Sequence, residues 1–145
     1  MNQQGKDAMG RFSVDLTVGN YKDVMKAEEG SLPPKKVRQM QVRGVVDSGA
    51  SRLVIPESLV ASLGLTSAGK GKVRYADHRS VTRKRVKDVW VRIQGREGSY
   101  NAIVEPNRTD VLIGAIVLED LDFLVDCGTQ QLIPRDPDLI VSEIE

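Results

Sequence analysis

One segment of the sequence places a carboxylate where it could do chemistry. The run 45–50 (VVDSGA) takes a hydrophobic, β-branched stretch directly into Asp47, which a tight turn follows. A carboxylate at the end of an apolar strand loses solvation, so it needs a cationic partner or a chemical role. Gly49 would let the backbone approach closely, and Ser48 supplies a hydroxyl that can hold the turn. Taken alone, an Asp-Ser-Gly sequence is more typical of an ordinary turn.

Other reactive side chains are scarce. The single cysteine, Cys127, excludes an intramolecular disulfide and a Cys-based zinc cluster, and the single histidine, His78, excludes a two-His metal site. Neither kind of zinc site is therefore expected. No His or Asn context marks Cys127 as a nucleophile, so we expect a packed thiol. For His78 we favour an exposed turn residue over a pH sensor.

Charge is balanced overall and uneven along the chain. The formal net charge is +1, but residues 70–96 carry 10 positive and 2 negative side chains, and residues 97–145 carry 2 and 11. We favour a basic region that is solvated or paired with the acidic third; the alternative is a substrate or partner of acidic character. The run 83–85 (RKR) resembles a nucleic-acid patch only in composition, and Trp90 is expected in the core. We expect no nucleic-acid partner.

The length and hydropathy of the chain favour one domain without a membrane span. The 145 residues suffice for a single core. Residues 1–10 are polar and lack the apolar centre of a signal peptide, and the apolar run 111–118 is too short for a bilayer. We expect a cytoplasmic protein with a flexible tail at 1–10, a domain at 11–135, and an acidic tail or dimer-interface segment at 136–145.

Hydrophobic periodicity predicts mostly β structure with two short helices. Alternating apolar residues predict strands at 12–18, 37–46, 100–104, 111–114, 123–126 and 132–133, and a hairpin over 72–93 with its tip near Asp77. Helices are predicted at 56–63, with Gly64 as a stop, and at 115–121. Turn-forming residues predict loops at 27–36 and 95–99.

Three segments together resemble one protein family. Residues 45–65 (VVDSGASRLVIPESLVASLGL) resemble the active-site segment of retropepsin-like aspartic proteases, the family of retroviral proteases and their single-domain relatives. Residues 75–77 resemble the flap of small bacterial members, and residues 111–126 (VLIGAIVLEDLDFLVD) resemble the second signature. The resemblance spans about 11–134. It implies a mostly β fold: a closed β-barrel lobe with one or two short helices and a flap hairpin, active as a two-fold homodimer.

The resemblance also implies residue roles, and it implies a site that needs no metal and no cofactor. Asp47 would be the catalytic carboxylate, and the catalytic loop would be supported by Ser48, Gly49 and Ala50. The flap, residues 73–82, would close over an extended peptide; its substrate-lining residues would be Arg74, Tyr75, Ala76, Asp77 and His78. The residues packed behind the site would be Leu112, Ile113 and Gly114, of which the glycine allows a close chain crossing.

The family mechanism needs two aspartates, and the chain offers one convincing candidate. Asp126 in FLVDCGT superficially repeats the first motif, but 145 residues are too few for two lobes. Cys127 also replaces the hydroxyl, and no apolar-apolar-Gly plus helix follows. We therefore expect Asp47 from each of two subunits to meet across a two-fold axis and to activate a water for peptide hydrolysis. The predicted function is an aspartic endopeptidase acting on extended protein segments.

Two other functions stay open at this point. The first is a catalytically silent binding module on the same fold, using the basic region 70–96 to grip an acidic peptide or nucleic acid. The second is an assembly subunit that buries Asp47 against a partner. The apolar residues 139–141 could form an interface strand or a short helix.

Overall fold

Nine strands and three short α-helices are found in the part of the chain that the structure describes. The computed structural model describes residues 11–140 and 142–144. In chain order the elements are β1 (Arg11–Asn20), α1 (Tyr21–Glu28), a 3-10 turn (Pro34–Lys36), β2 (Gln39–Asp47), β3 (Leu53–Pro56), α2 (Glu57–Leu63), β4 (Thr66–Arg74), β5 (Ser80–Ile93), β6 (Arg96–Glu105), β7 (Val111–Ile113), α3 (Ala115–Asp120), β8 (Phe123–Asp126) and β9 (Gln131–Pro134).

Six of the strands close into a barrel. Their order is β1-β2-β7-β3-β6-β5, and β5 returns to β1 over Thr17↔Arg92 to Asn20↔Val89. The strand β4 pairs only with β5, so the β4–β5 hairpin extends from the barrel as an edge, while β8 and β9 form a separate two-stranded sheet. The predicted mostly β fold, a closed barrel lobe with a flap hairpin, is confirmed.

The barrel interior is filled by the alternating apolar residues of its strands. On β1 the side chains of Phe12, Leu16 and Val18 are buried, as the period-two pattern predicts. The β1–β2–β7 contact is very close at Gly44: a Cβ there would lie 2.6 Å from Leu16 Cδ2 and 2.8 Å from Ile113 Cδ1. A glycine at this position lets the three strands pack without displacing the core.

Helix α1 adds to the two predicted helices. Asn20 ends β1 and caps the helix, because its side chain accepts a hydrogen bond from the Asp23 amide over 3.1 Å. The Asn20 amide group also donates to the carbonyl oxygens of Leu63 (2.9 Å) and Gly64 (3.1 Å). The sequence pattern predicted a strand at 12–18 and no helix after it, so α1 was missed, because its start is fixed by tertiary contacts.

Two predictions need correction, one on the position of a turn and one on the burial of Cys127. The turn predicted at 95–99 is wrong, because Gln94 and Gly95 form a tighter turn with φ of 50° and 80°, and β6 begins at Arg96. Cys127, predicted to be packed, is exposed in the turn between β8 and β9. Trp90 is buried as predicted, 7% exposed.

None of the helices in the described ranges has the length and apolar character needed to span a lipid bilayer. The predicted tail at 1–10 lies outside the described residues. Leu139 and Ile140 belong to no strand or helix in the single chain, and Val141 lies outside the described residues.

Candidate active site

Asp47 is the last residue of a strand that is held on both sides. β2 pairs antiparallel with β1 and parallel with β7, so its position is fixed by two neighbours. Val46, which precedes Asp47, is fully buried and lies opposite Ile113 in the register. The apolar strand is anchored in the core, and it delivers a half-buried carboxylate at its end.

The turn after β2 folds back onto that carboxylate. The backbone N–H of Gly49 donates to Asp47 Oδ1 over 3.0 Å, and the N–H of Ala50 donates to the Asp47 carbonyl over 3.1 Å. A Cβ on Gly49 would lie only 3.2 Å from Asp47 Oδ1. Ser48, between them, is exposed. The turn therefore orients Asp47 by its backbone and presents the serine hydroxyl outward.

The second signature supports this turn from behind. The first N–H groups of α3, those of Ala115 and Ile116, donate to the carbonyls of Ala50 (2.8 Å) and Ser51 (2.9 Å). A Cβ on Gly114 would lie 2.6 Å from the Arg52 carbonyl oxygen and 2.8 Å from its nitrogen. Because backbone atoms cannot yield as a flexible side chain does, glycine permits the chain crossing on which these hydrogen bonds depend.

An open cleft of about 740 Å³ lies between the turn after β2 and the flap. Among the predicted site residues, those that line it are Asp47, Gly49, Ala50, Arg74, Tyr75, Ala76 and Leu112. The predicted residues outside its lining are Ser48, Asp77, His78, Ile113 and Gly114. Ile113 is fully buried behind the cleft. His78 is exposed at the tip of the flap with φ of 68°, which matches the exposed turn residue expected from sequence.

The flap is closed at its tip by its own backbone and tied to the barrel by side chains. Tyr75 donates its N–H to the Arg79 carbonyl over 2.9 Å, and its hydroxyl donates to Glu105 Oε2 over 2.5 Å. Arg83 Nε lies 3.1 Å from both the Tyr75 hydroxyl and Glu105 Oε1. Burial, and then the hydrogen bond to Glu105, raise the pKa of the Tyr75 hydroxyl. The phenol therefore stays protonated and holds the flap.

Two carboxylates line the cleft, and they differ in their surroundings. Glu105 is bound by Arg83 and Tyr75, while Asp47 makes no ion pair within the described residues. Asp126 lies elsewhere, at the end of β8, where its Oδ1 accepts from the N–H groups of Gly128 (3.0 Å) and Thr129 (3.2 Å). The Thr129 backbone hydrogen bond, first among several, lowers the pKa of Asp126. Asp126 acts as a turn residue outside the cleft.

Several residues that line the cleft were not predicted from the sequence. They come from four separate parts of the chain: Arg11, Arg52, Ile103, Glu105, Asn107 and Arg108. Only the pairing of the strands brings them together, so no local sequence motif predicts them. Within residues 11–140 and 142–144, no three His, Cys, Asp or Glu side chains group as metal ligands would.

Comparison with known proteins agrees with this geometry. The family model described as aspartyl protease matches residues 34–117, more than half of the chain, including Asp47 and Gly114. The fold is similar to that of the EIAV protease solved in complex with the inhibitor HBY-793, with a TM-score of 0.52 and 14% sequence identity, over 77% of this chain and 88% of that one. No curated protein matches the chain in sequence. The matched segment and the barrel together establish that the chain belongs to the aspartyl protease family and has the retropepsin-like fold.

Proposed function

We propose that the protein is an aspartic endopeptidase that works as a homodimer, with one Asp47 carboxylate from each subunit. The main observation behind this proposal is that Asp47 lies in an open cleft beneath a flap. No second unpaired carboxylate lies beside it in the described chain. Glu105 is bound by Arg83. A second copy of the same turn is the simplest source of the missing partner.

Two Asp47 carboxylates side by side would share one proton, because like charges at close range cannot both ionise cheaply. The ionised member takes a proton from the bound water as the water oxygen attacks the peptide carbonyl carbon. The protonated member gives its proton to the carbonyl oxygen. The resulting gem-diol intermediate collapses with cleavage of the C–N bond. The carboxyl that took the water proton gives it to the leaving nitrogen, and one hydroxyl of the intermediate returns its proton to the other carboxylate, so the pair again holds one proton.

The flap gives the proposed form of the substrate, an extended peptide, a physical basis. β4 is the terminal strand of its sheet and has one unpaired edge in the described chain. An extended peptide can add to such an edge by backbone hydrogen bonds, and pockets then select alternate side chains. This supports flexible, extended segments of proteins as substrates. The exposed Ser48 is placed beside Asp47, where a hydroxyl could bond to the second subunit.

The test is cleavage of a diverse peptide library by the wild-type protein and the Asp47→Asn variant, at high protein concentration between about pH 4 and pH 7. We expect cuts with the wild type that disappear in the variant. Sedimentation of both proteins in the ultracentrifuge measures dimer formation separately from cleavage. The substitution removes a charge without changing the shape of the side chain, so a loss of cleavage can be compared at equal dimer formation.

The matched control is Asp126→Asn, which makes the same chemical change outside the cleft. It should keep its cleavage activity. If Asp126→Asn removed activity while its thermal unfolding stayed unchanged, a two-aspartate site within one chain would replace the homodimer. Cleavage that persists in Asp47→Asn would contradict the aspartic mechanism altogether.

A silent binding module is the second candidate, favoured by the unpaired charge of the basic region. Of the 10 cations in residues 70–96, those that form an ion pair with a described carboxylate are Arg79, Arg83, Lys84 and Arg96. The remaining six make none within the described residues. Binding that weakens strongly with salt, together with an absence of cleavage and a stable dimer, would favour this module.

A further inference from the structure

The cleft that contains Asp47 is strongly cationic. The positively charged residues that line it are Arg11, Arg52, Lys72, Arg74 and Arg108. Asp47 and Glu105 are the lining carboxylates, and Arg83, which is not a lining residue, already neutralises Glu105. One carboxylate therefore faces five cations, an excess of positive charge in a site with mixed polar and apolar walls.

These five cations have no carboxylate of their own. None forms an ion pair within residues 11–140 and 142–144; Arg108 donates its Nε to the Asp110 carbonyl over 2.7 Å, which leaves its charge uncompensated. Arg11, Arg52, Lys72 and Arg74 are exposed. Arginine presents a planar fork of donors that matches a carboxylate, so the cleft offers several places for acidic groups.

We infer that the cleft selects extended peptides with Asp or Glu near the scissile bond. This inference rests on the proposed endopeptidase activity. Lys72 and Arg74 lie on β4, the edge strand to which a peptide would add, while Arg52 follows the turn that carries Asp47. A two-fold homodimer would repeat these charges on the other side of the bond, so acidic side chains are accepted on both sides of it.

Peptide fits the cleft better than nucleic acid. Tyr75 is the aromatic residue in the described lining, its hydroxyl is bound to Glu105, and Arg79 lies 4.7 Å from its ring centre. Binding of single-stranded nucleic acid typically uses several aromatic side chains on which successive bases stack. The unpaired β4 edge instead offers backbone hydrogen bonds that suit a peptide.

The experiment compares peptides that the wild-type protein cuts with copies in which each Glu or Asp becomes Gln or Asn. We expect kcat/KM to fall about tenfold in the neutral copies, because charged hydrogen bonds are lost. The difference should shrink at high salt, since screening weakens exposed charges. In the double variant Lys72→Gln/Arg74→Gln, the ratio of kcat/KM for the acidic peptides to kcat/KM for their neutral copies should approach one.

The matched control is Lys87→Gln/Arg92→Gln, which removes the same two charges from exposed positions on β5 outside the cleft. This control should keep the wild-type ratio. Equal cleavage of acidic and neutral copies by the wild type would overturn the acidic preference and leave the endopeptidase proposal intact.

A binding measurement separates the two proposals if no peptide is cut. Fluorescence anisotropy with Asp47→Asn measures the affinity for labelled acidic peptides and for their neutral copies. Tighter binding of the acidic copies, lost in Asp47→Asn/Lys72→Gln/Arg74→Gln, would support the cationic cleft although the protease proposal fails. Tighter binding of a single-stranded oligonucleotide than of any acidic peptide at the same salt concentration would contradict it.

Discussion

The Tyr75 hydroxyl donates a hydrogen bond to Glu105 Oε2 over 2.5 Å and so ties the flap to the last residue of β6. Arg83 bonds to both partners, which makes a three-residue contact across the cleft wall. The side chains of Arg83 and Glu105 are 22% and 17% exposed, so this ion pair is shielded from solvent more than a surface pair is. The contact fixes how the flap stands over Asp47.

We predict that Tyr75→Phe loosens the flap without unfolding the barrel. The variant keeps the ring and removes the hydroxyl that reaches Glu105. Losing one hydrogen bond to a charged group should lower kcat/KM about tenfold. The reason is that ordering the loosened flap then takes up part of the free energy of substrate binding. Peptide cleavage kinetics measure the loss, and hydrogen exchange of residues 73–82 measures the loosening.

Tyr21→Phe is the matched control, because Tyr21 begins α1 away from the cleft. It should leave both measurements unchanged. Faster exchange throughout the barrel in Tyr75→Phe would mean that the contact stabilises the whole domain, and the flap-specific role would then be wrong.

We predict that Gly114→Ala disrupts the turn that carries Asp47. The added Cβ would lie 2.6 Å from the Arg52 carbonyl oxygen, so the backbone of one crossing chain must move. We expect a loss of about 1–3 kcal/mol in the free energy of unfolding, the usual cost of overpacking, together with strongly reduced cleavage. Denaturant unfolding and peptide cleavage measure the two effects.

Gly128→Ala provides the control for this substitution. The nearest atom to its added Cβ would be Asp126 Oδ1 at 3.4 Å, an ordinary contact. A Gly114→Ala protein as stable and active as Gly128→Ala would show that the crossing is looser than the distances indicate.

Asp47 could be singled out from sequence because two separate segments resemble one family, although the Asp-Ser-Gly turn by itself is more typical of an ordinary turn. An apolar strand, a carboxylate and a glycine turn follow one another within seven residues, and the apolar-apolar-Gly strand end returns at 112–114. Strand periodicity likewise predicts most of the barrel, since period two reports one buried face. The Asx-type start of α1, with Asn20 three residues before Asp23, was a usable helix signal that the weak apolar pattern hid.

The rest of the site depends on contacts that no local pattern records. Tyr75 and Glu105 are separated by 30 positions and meet only through the β4–β5 and β5–β6 pairings. Arg11 lies opposite Asp47 because β1 pairs with β2. Charge counts along the chain located the excess of cations in residues 70–96. Which of these cations pair with carboxylates, and which lie around the cleft, depends on the folded chain.

We predict a loss of stability in acid through Asp23. Its side chain is 6% exposed and accepts hydrogen bonds from Arg38 Nε (2.8 Å), Nη2 (3.0 Å) and the backbone N–H (3.0 Å). The Arg38 hydrogen bonds lower the pKa of Asp23 in the folded state. The stabilisation is therefore fully present above the unfolded pKa of about 4 and is lost as the pH falls through the lower folded value.

Asp23→Asn tests this contribution. At pH 7 it should lower the free energy of unfolding by about 2 kcal/mol, because it weakens charged hydrogen bonds at a buried position. The difference from wild type should shrink as the pH falls below about 4, where Asp23 of the unfolded chain becomes protonated, and should be lost below the lower folded pKa. Asp15→Asn is the control: Asp15 is 81% exposed beside Arg43, and its replacement should change little. If the difference in the free energy of unfolding between wild type and Asp23→Asn stayed constant down to pH 2, the loss of stability in acid could not be assigned to Asp23.

The final prediction concerns the C-terminal segment and the proposed homodimer. Leu139 and Ile140 are 53% and 47% exposed, and the Arg135 guanidinium donates to the Ile140 carbonyl over 2.9 Å, which holds this segment beside β9. Apolar side chains held in place at a surface gain free energy when a partner covers them. We therefore expect that deleting residues 137–145 dissociates the dimer and abolishes cleavage at low protein concentration.

Leu139→Gln/Ile140→Gln makes the same test without shortening the chain. Sedimentation over a concentration series should give a weaker dimer, and cleavage should recover as the concentration rises, because Asp47 itself is unchanged. Leu124→Gln, at an apolar position of β8 that is 51% exposed, controls for the general effect of removing surface hydrophobicity. A dimer of unchanged affinity in the deletion variant would remove the segment from the interface, and cleavage that stayed concentration-independent would argue that each chain acts alone.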